Sequence, residues 1–124
     1  MTTSIRGSCL CGRVAYTIKQ SMRISRCRKF TGSAHGANLF VAPENFAWSK
    51  GEAEVKTYNP ENTKYFATAF CGHCGSSLPW HSKGGRVVVV PAGTVDDEID
   101  VKPSQNIFCG SRAAWYQSAA DLPE

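Results

Sequence analysis

No stretch of this 124-residue sequence is apolar for long enough to cross a bilayer. Its apolar runs are short blocks such as Val87 to Val90, whereas a helical span takes about 20 residues. The opening residues Met1-Thr2-Thr3-Ser4-Ile5-Arg6-Gly7 lack the apolar core of a secretory signal. A soluble protein of the reducing cytosol is therefore expected, where thiols stay free or take up metal. Charge is sparse as well: 14 basic against 10 acidic residues leave a net charge of +4. No long basic stripe interleaved with aromatics accompanies it, so a nucleic-acid partner is not expected. Convincing helical periodicity, internal repeats, low-complexity segments and domain boundaries are all missing, which leaves one domain over 1–124. A chain of this length has a modest core and gains from an additional covalent or metal tie.

What the sequence does have is six cysteines, four of them in two short pairs: Cys9-Leu10-Cys11-Gly12 and Cys71-Gly72-His73-Cys74-Gly75. Structural zinc takes four thiolates in a tetrahedron, and two Cys pairs supply that set. Each is closed by a glycine that lets the backbone curl beneath the metal. The second pair is the more specific, because a Cys-x-x-Cys-Gly knuckle can aim backbone N–H groups at its sulfurs. Six cysteines also allow fifteen disulfide pairings, but that framework needs an oxidising compartment. Cys9, Cys11, Cys71 and Cys74 are thus expected to share one structural zinc. Loss of Cys74 is expected to impair folding, since the metal would close a long loop.

Around the knuckles the pattern is of strands and turns. Val14, Tyr16 and Ile18 alternate along 13–18 with the period of a half-buried strand. Further strands are expected over 37–42, 55–58 and 64–70, separated by turn residues at 49–52 and 59–62. Residues 77–81 and 86–90 flank Ser82-Lys83-Gly84-Gly85 as a hairpin. The apolar run Val87 to Val90 suits a strand buried on both faces and stopped by Pro91. Pro43 to Phe46 fits one helical turn, and Asp96-Asp97-Glu98 an acidic loop. The expected class is a small all-β domain stapled by a four-cysteine zinc, its two knuckles lying at strand ends where the metal could tie them together.

The motifs also fall in a telling order: Gly7-Ser8-Cys9-Leu10-Cys11-Gly12-Arg13-Val14, Cys27-Arg28-Lys29 with Thr31-Gly32-Ser33, Phe70 to Leu78 around the second knuckle, and Ser111-Arg112-Ala113-Ala114-Trp115-Tyr116. Over nearly its whole length the chain resembles the glutathione-dependent formaldehyde-activating enzyme (GFA) family. The resemblance implies an all-β fold of layered sheets with the four-cysteine zinc. It also implies carbon–sulfur lyase chemistry that joins glutathione to formaldehyde, giving S-hydroxymethylglutathione. In that family a second, catalytic zinc is held by Cys-x-Cys-x-x-Cys immediately before the Arg-Lys pair, with an open position for a reacting ligand.

The chain departs from the family at this second site. Cys27 stands at the last ligand position, but the other two carry Ile24 and Met22, which supply no thiolate. The interval from Cys11 to Cys27 is also several residues shorter than is usual in the family, so that, beside plain substitution, a deletion there or residues missing between Ser25 and Arg26 would account for the departure. The resemblance makes Cys27 a catalytic candidate; with its two partner ligands absent it reads first as a small buried side chain. Arg28 and Lys29, with Arg26, could receive the carboxylates of a tripeptide such as glutathione, or form a solvated basic turn. Cys109 reads as core filler, Trp115 and Tyr116 as core or pocket wall, and His35, His73 and His81 as structural residues, His73 pointing away from the metal. Two functions follow: a GFA-type lyase, or a zinc-stabilised binding module that has kept the fold and lost the second metal.

Overall fold

The computed structural model describes residues 4–19, 37–61 and 63–99 in full, and 23–26 at the level of the backbone. Among them ten strands occur: β1 (Ile5–Ser8), β2 (Ala15–Ile18), β3 (Arg23–Arg26), β4 (Ala37–Val41), β5 (Phe46–Lys50), β6 (Val55–Tyr58), β7 (Thr68–Cys71), β8 (Ser77–Leu78), β9 (Trp80–His81) and β10 (Val88–Pro91). The helical content of the described residues is three single 3₁₀ turns, at Pro43–Asn45, Glu52–Glu54 and Ala92–Thr94. The strands form three antiparallel sheets in the orders β1-β2-β5, β3-β4-β10-β9 and β6-β7-β8. The expected all-β class holds.

Period-two alternation explains how the sheets stack. Val88 and Val90 enter one core with Leu39 and Val41 of β4 and Tyr16 and Ile18 of β2. Val89, between them, enters a second core with Ala69 and Cys71 of β7, Leu78 of β8 and Trp80 of β9. The four-stranded sheet is thus the middle layer, and Val88 to Val90 are buried on both of its faces as their unbroken apolar pattern implies. Pro91 is the last residue of β10, opposite Asn38, rather than the residue beyond it.

Two expectations are corrected by the structure. The strand placed at 64–70 begins only at Thr68. The residues before it form a loop whose carbonyls are claimed by side chains: Thr63 Oγ1 donates to Pro60 O and Phe66 O at 3.1 and 3.0 Å. Lys83 Nζ donates to Pro60 O and, at 2.8 Å, to Thr63 O. The strand placed at 77–81 is broken at the fully buried Pro79, so that β8 pairs with β7 and β9 with β10, in different layers. Strands β1, β3 and β5 were hidden from pattern alone. Strand β5 is recruited by aromatic packing, with Phe46 and Trp48 at ring-centroid distances of 5.7 and 6.3 Å from Tyr16 and 5.0 Å from each other.

Tyr16 is wholly buried beneath β1, and its hydroxyl donates to Thr94 Oγ1, which donates in turn to Pro91 O at 2.7 Å. Burial pushes the phenol up to about 12 against the opposing effect of the Thr94 bond, and Asp96 adds to the rise. Because the folded state holds this proton more tightly than the unfolded state, the stabilisation is complete below pH 10 and is lost as pH rises through 12. A raise of two units corresponds to about 3 kcal/mol. Unfolding free energy should therefore fall over this window in the parent protein and fall less in Tyr16→Phe. Parallel denaturant titrations at pH 9 and above would check it, and equal slopes would contradict it.

The acidic segment expected at 96–98 is tied to β1. Arg6 Nη2 and Nε reach Asp97 Oδ1 and Oδ2 at 2.9 and 3.1 Å, the Arg6 N–H adds 2.9 Å, and Ser8 Oγ donates to Asp96 Oδ2 at 2.7 Å. The paired guanidinium holds the Asp97 carboxyl below its ordinary value. These bonds fix the strand that leads directly into Cys9.

Candidate metal centre

Each cysteine pair sits in a turn joining neighbouring antiparallel strands. Between β1 and β2, Cys9 N donates to Val14 O at 3.0 Å and Gly12 N to Cys9 O at 3.2 Å, while Val14 N donates to Cys9 Sγ at 3.4 Å. Between β7 and β8, Cys71 N donates to Ser76 O at 2.9 Å and Gly75 N to Cys71 O at 2.8 Å. Cys71 Sγ accepts from His73 N and Cys74 N at 3.4 and 3.5 Å. The N–H groups aimed at sulfur that a knuckle requires are therefore present in both turns. Gly12 and Gly75 take φ of 79° and 78°, a left-handed conformation that other residues adopt only under strain.

The topology brings the two turns face to face. The sulfurs of Cys9, Cys11, Cys71 and Cys74 all lie within 4.8 Å of one another, with Cys9 to Cys11 at 3.5 Å and Cys11 to Cys71 at 3.9 Å. Four sulfurs at a zinc–thiolate bond length of about 2.3 Å would lie about 3.8 Å apart at the edges of a tetrahedron. The donor set and its dimensions thus fit one metal ion, and this cluster could hold one. Cys9 and Cys71 are buried in the core beside Val14, Leu78 and Trp80, whereas Cys11 faces solvent and Cys74 is half-buried.

The thiols of Cys74, Cys11 and Cys9 are shifted in different directions. The Ser76 hydroxyl, then the Ser76 N–H, bring Cys74 down to about 5 against desolvation. For Cys11 the Arg13 N–H acts downward, but desolvation and the three neighbouring sulfurs outweigh it and push the thiol up to about 11. Cys9 is lowered on balance: desolvation is outweighed by the Val14 N–H and by its neighbours Cys11 and Cys71. A metal entering at neutral pH must therefore displace protons, that of Cys11 among them. Lys50 Nζ donates to Gly12 O at 3.0 Å, placing one cation beside a site whose four thiolates exceed the charge of a divalent ion.

His73 is exposed and meets the cluster through its backbone, and His81 packs edge-on against Phe46 at 5.9 Å. Cys27, Arg28, Lys29, Cys109, His35 and the segment 111–116 lie outside the described residues. Arg26 ends β3 opposite Ala37, so the basic cluster begins in a strand and not in a turn. Ile24 pairs with Leu39 inside that strand. Ser76 is the site residue that sequence reasoning missed. Its signal was its place directly after the knuckle glycine, where a short polar side chain can turn back to the sulfurs.

Layered antiparallel sheets joined at a four-cysteine cluster that could hold a metal ion define a class of small β proteins. Within that class, the chain belongs to the glutathione-dependent formaldehyde-activating enzyme family, whose model matches residues 4–111. In fold it is similar to a Rhodobacter sphaeroides protein solved by crystallography in a structural-genomics programme. The TM-score is 0.63 at 14% identity, over 77% of this chain and 91% of that one. No curated protein matches it significantly.

Proposed function

We propose that this protein is a cytoplasmic, single-domain carbon–sulfur lyase of the GFA type. It would add the thiol of glutathione to formaldehyde or process a related S-adduct, with zinc at Cys9, Cys11, Cys71 and Cys74 in a structural role. The observation that carries this is the family match, which spans both knuckles and the Cys27-Arg28-Lys29 segment. The chemistry of the four-sulfur cage supports the structural role. A metal there would have all four positions filled by protein thiolates, and a closed site of that kind has no position for a reacting ligand.

The reaction is then assigned to the segment after β3. In the addition, the glutathione sulfur bonds to the carbonyl carbon and the oxygen takes up the proton that the thiol released. Arg28 and Lys29 are suited to receive the tripeptide's carboxylates and so to hold its thiol beside Cys27. A zinc held there would lower the pKa of the bound thiol, and of the family's three ligand positions Cys27 is the one that still offers a thiolate in this chain.

One observation favours a second function, a zinc-stabilised binding module. Ile24 lies within β3, so one of the family's reactive-metal ligand positions carries an aliphatic side chain in a paired strand. The deciding experiment loads the protein with zinc, counts zinc by native mass spectrometry, and follows glutathione–formaldehyde condensation. Acceleration over the uncatalysed rate that falls at least tenfold in Cys27→Ala supports the lyase. One zinc per chain with no acceleration supports the binding module.

A further inference from the structure

One side chain touches both knuckles. Ser76 follows Gly75 in the second turn, yet its hydroxyl oxygen accepts the N–H of Leu10, in the middle of the first turn, at 3.0 Å. The same oxygen lies 3.2 Å from Cys74 Sγ, and the Ser76 carbonyl accepts the Cys71 N–H at 2.9 Å. A serine hydroxyl has one hydrogen and two acceptor lone pairs. With a lone pair taken by Leu10 N–H, its hydrogen is free to point at the Cys74 sulfur. One residue therefore orders the backbone at Cys71, the side chain of Cys74 and the peptide between Cys9 and Cys11.

We propose that Ser76 is a positioning residue for the metal, the clasp that brings the two cysteine pairs into one site and holds the Cys74 sulfur at ligand distance. The assignment rests on the metal-site function given above. Without Ser76, each knuckle keeps its own internal bonds, Cys9 N to Val14 O in the first and Gly75 N to Cys71 O in the second. What is lost is the Leu10–Ser76 bond between them, which leaves contacts made through the ligand sulfurs themselves, such as Cys11 to Cys71 at 3.9 Å. Each pair alone offers two thiolates, too few for a closed tetrahedral site. Leu10 is 90% exposed, so apolar burial of its side chain does not hold this turn in place.

The test uses full-length protein loaded with cobalt(II), whose thiolate charge-transfer absorption reports the sulfur ligands, and with zinc in competition against a chelator. The wild type should show tetrahedral thiolate–cobalt absorption. Ser76→Ala should bind zinc 10- to 100-fold more weakly, the range typical of residues that orient metal ligands. Its charge-transfer band should move to longer wavelength, because a sulfur relieved of an O–H donor gives up its electrons more easily. Ser76→Thr, which keeps the hydroxyl, should restore both properties. Wild-type affinity and an unshifted band in Ser76→Ala would overturn the proposal while leaving the metal site standing. A wild type that takes up no cobalt would overturn the metal site itself. A measurement without substitution adds to these: in the wild-type holoprotein the Leu10 amide should be protected from hydrogen exchange, and free exchange there would also overturn the clasp.

Discussion

Replacing Cys71 by serine is expected to yield a chain that retains no tightly bound metal and shows no cooperative melting transition at ambient temperature. Cys71 is the last residue of β7, 1% exposed, and packs in the core with Leu78, Trp80 and Val89. Its sulfur also accepts two backbone N–H groups, so the substitution removes a ligand, a core contact and the organiser of a turn. Metal joining Cys11 to Cys71 would close a loop over a separation of 60 residues, a constraint of about 4 kcal/mol if it acts as a disulfide of that span does. Structural zinc contributes on the order of 10 kcal/mol in small metal-folded peptides, comparable with the entire stability of a domain this size. Metal content and far-ultraviolet circular dichroism during heating would measure the effect. A Cys71→Ser protein that melts cooperatively at the parent midpoint would remove the case for a structural metal. Prolonged chelation of the parent protein should reproduce the variant's behaviour.

The second large effect is expected at Gly7. It pairs directly with Tyr16 across β1 and β2, and the tyrosine ring lies over it. A Cβ built on Gly7 would come within 2.2 Å of Tyr16 Cζ and the hydroxyl oxygen, a separation that real atoms do not tolerate. The ring cannot swing away easily, because it is enclosed by Phe46 and Trp48 and its hydroxyl is bonded to Thr94. Gly7→Val should therefore destabilise the protein by about 3 kcal/mol, the upper end for overpacking a core. In the background of Tyr16→Leu, which removes the ring, the same substitution should be much milder. That non-additivity, read from denaturant midpoints of the four proteins in the cycle, is the signature of direct contact. Additive effects would place the strain elsewhere.

Both sites show what the sequence made legible. Four cysteines at two tight spacings, each pair followed by glycine, are a local pattern, so the gathering of their sulfurs into one cluster that could hold a metal ion could be foreseen. The same is true of Val88 to Val90, whose apolar run carries its own account of burial on both faces. Strand β1 was invisible because Ile5-Arg6-Gly7-Ser8 has neither alternation nor β-branched density; it exists because Tyr16 covers Gly7 and Asp96 and Asp97 hold Ser8 and Arg6. Strand β5 was obscured by Pro43 and by the turn residues after Trp48, and only aromatic packing against Tyr16 reveals it. Ser76 escaped notice because its partner Leu10 is 66 positions away and no spacing rule connects them. Short-range chemistry was readable, whereas what depended on the stacking of three sheets was not.

The separation of the two knuckles along the chain also sets an order of events during synthesis. At about 5–20 residues per second, Cys11 leaves the ribosome roughly 3–12 s before Cys71, since 60 positions lie between them. For that interval half of the ligand set is in the cell without its complement. The first pair then competes alone for metal and for oxidants, while the second knuckle closes within a few residues of its own emergence. Any metal that fills the site must therefore wait for the second knuckle to emerge, and the nascent chain is most vulnerable to disulfide formation between Cys9 and Cys11 before that point.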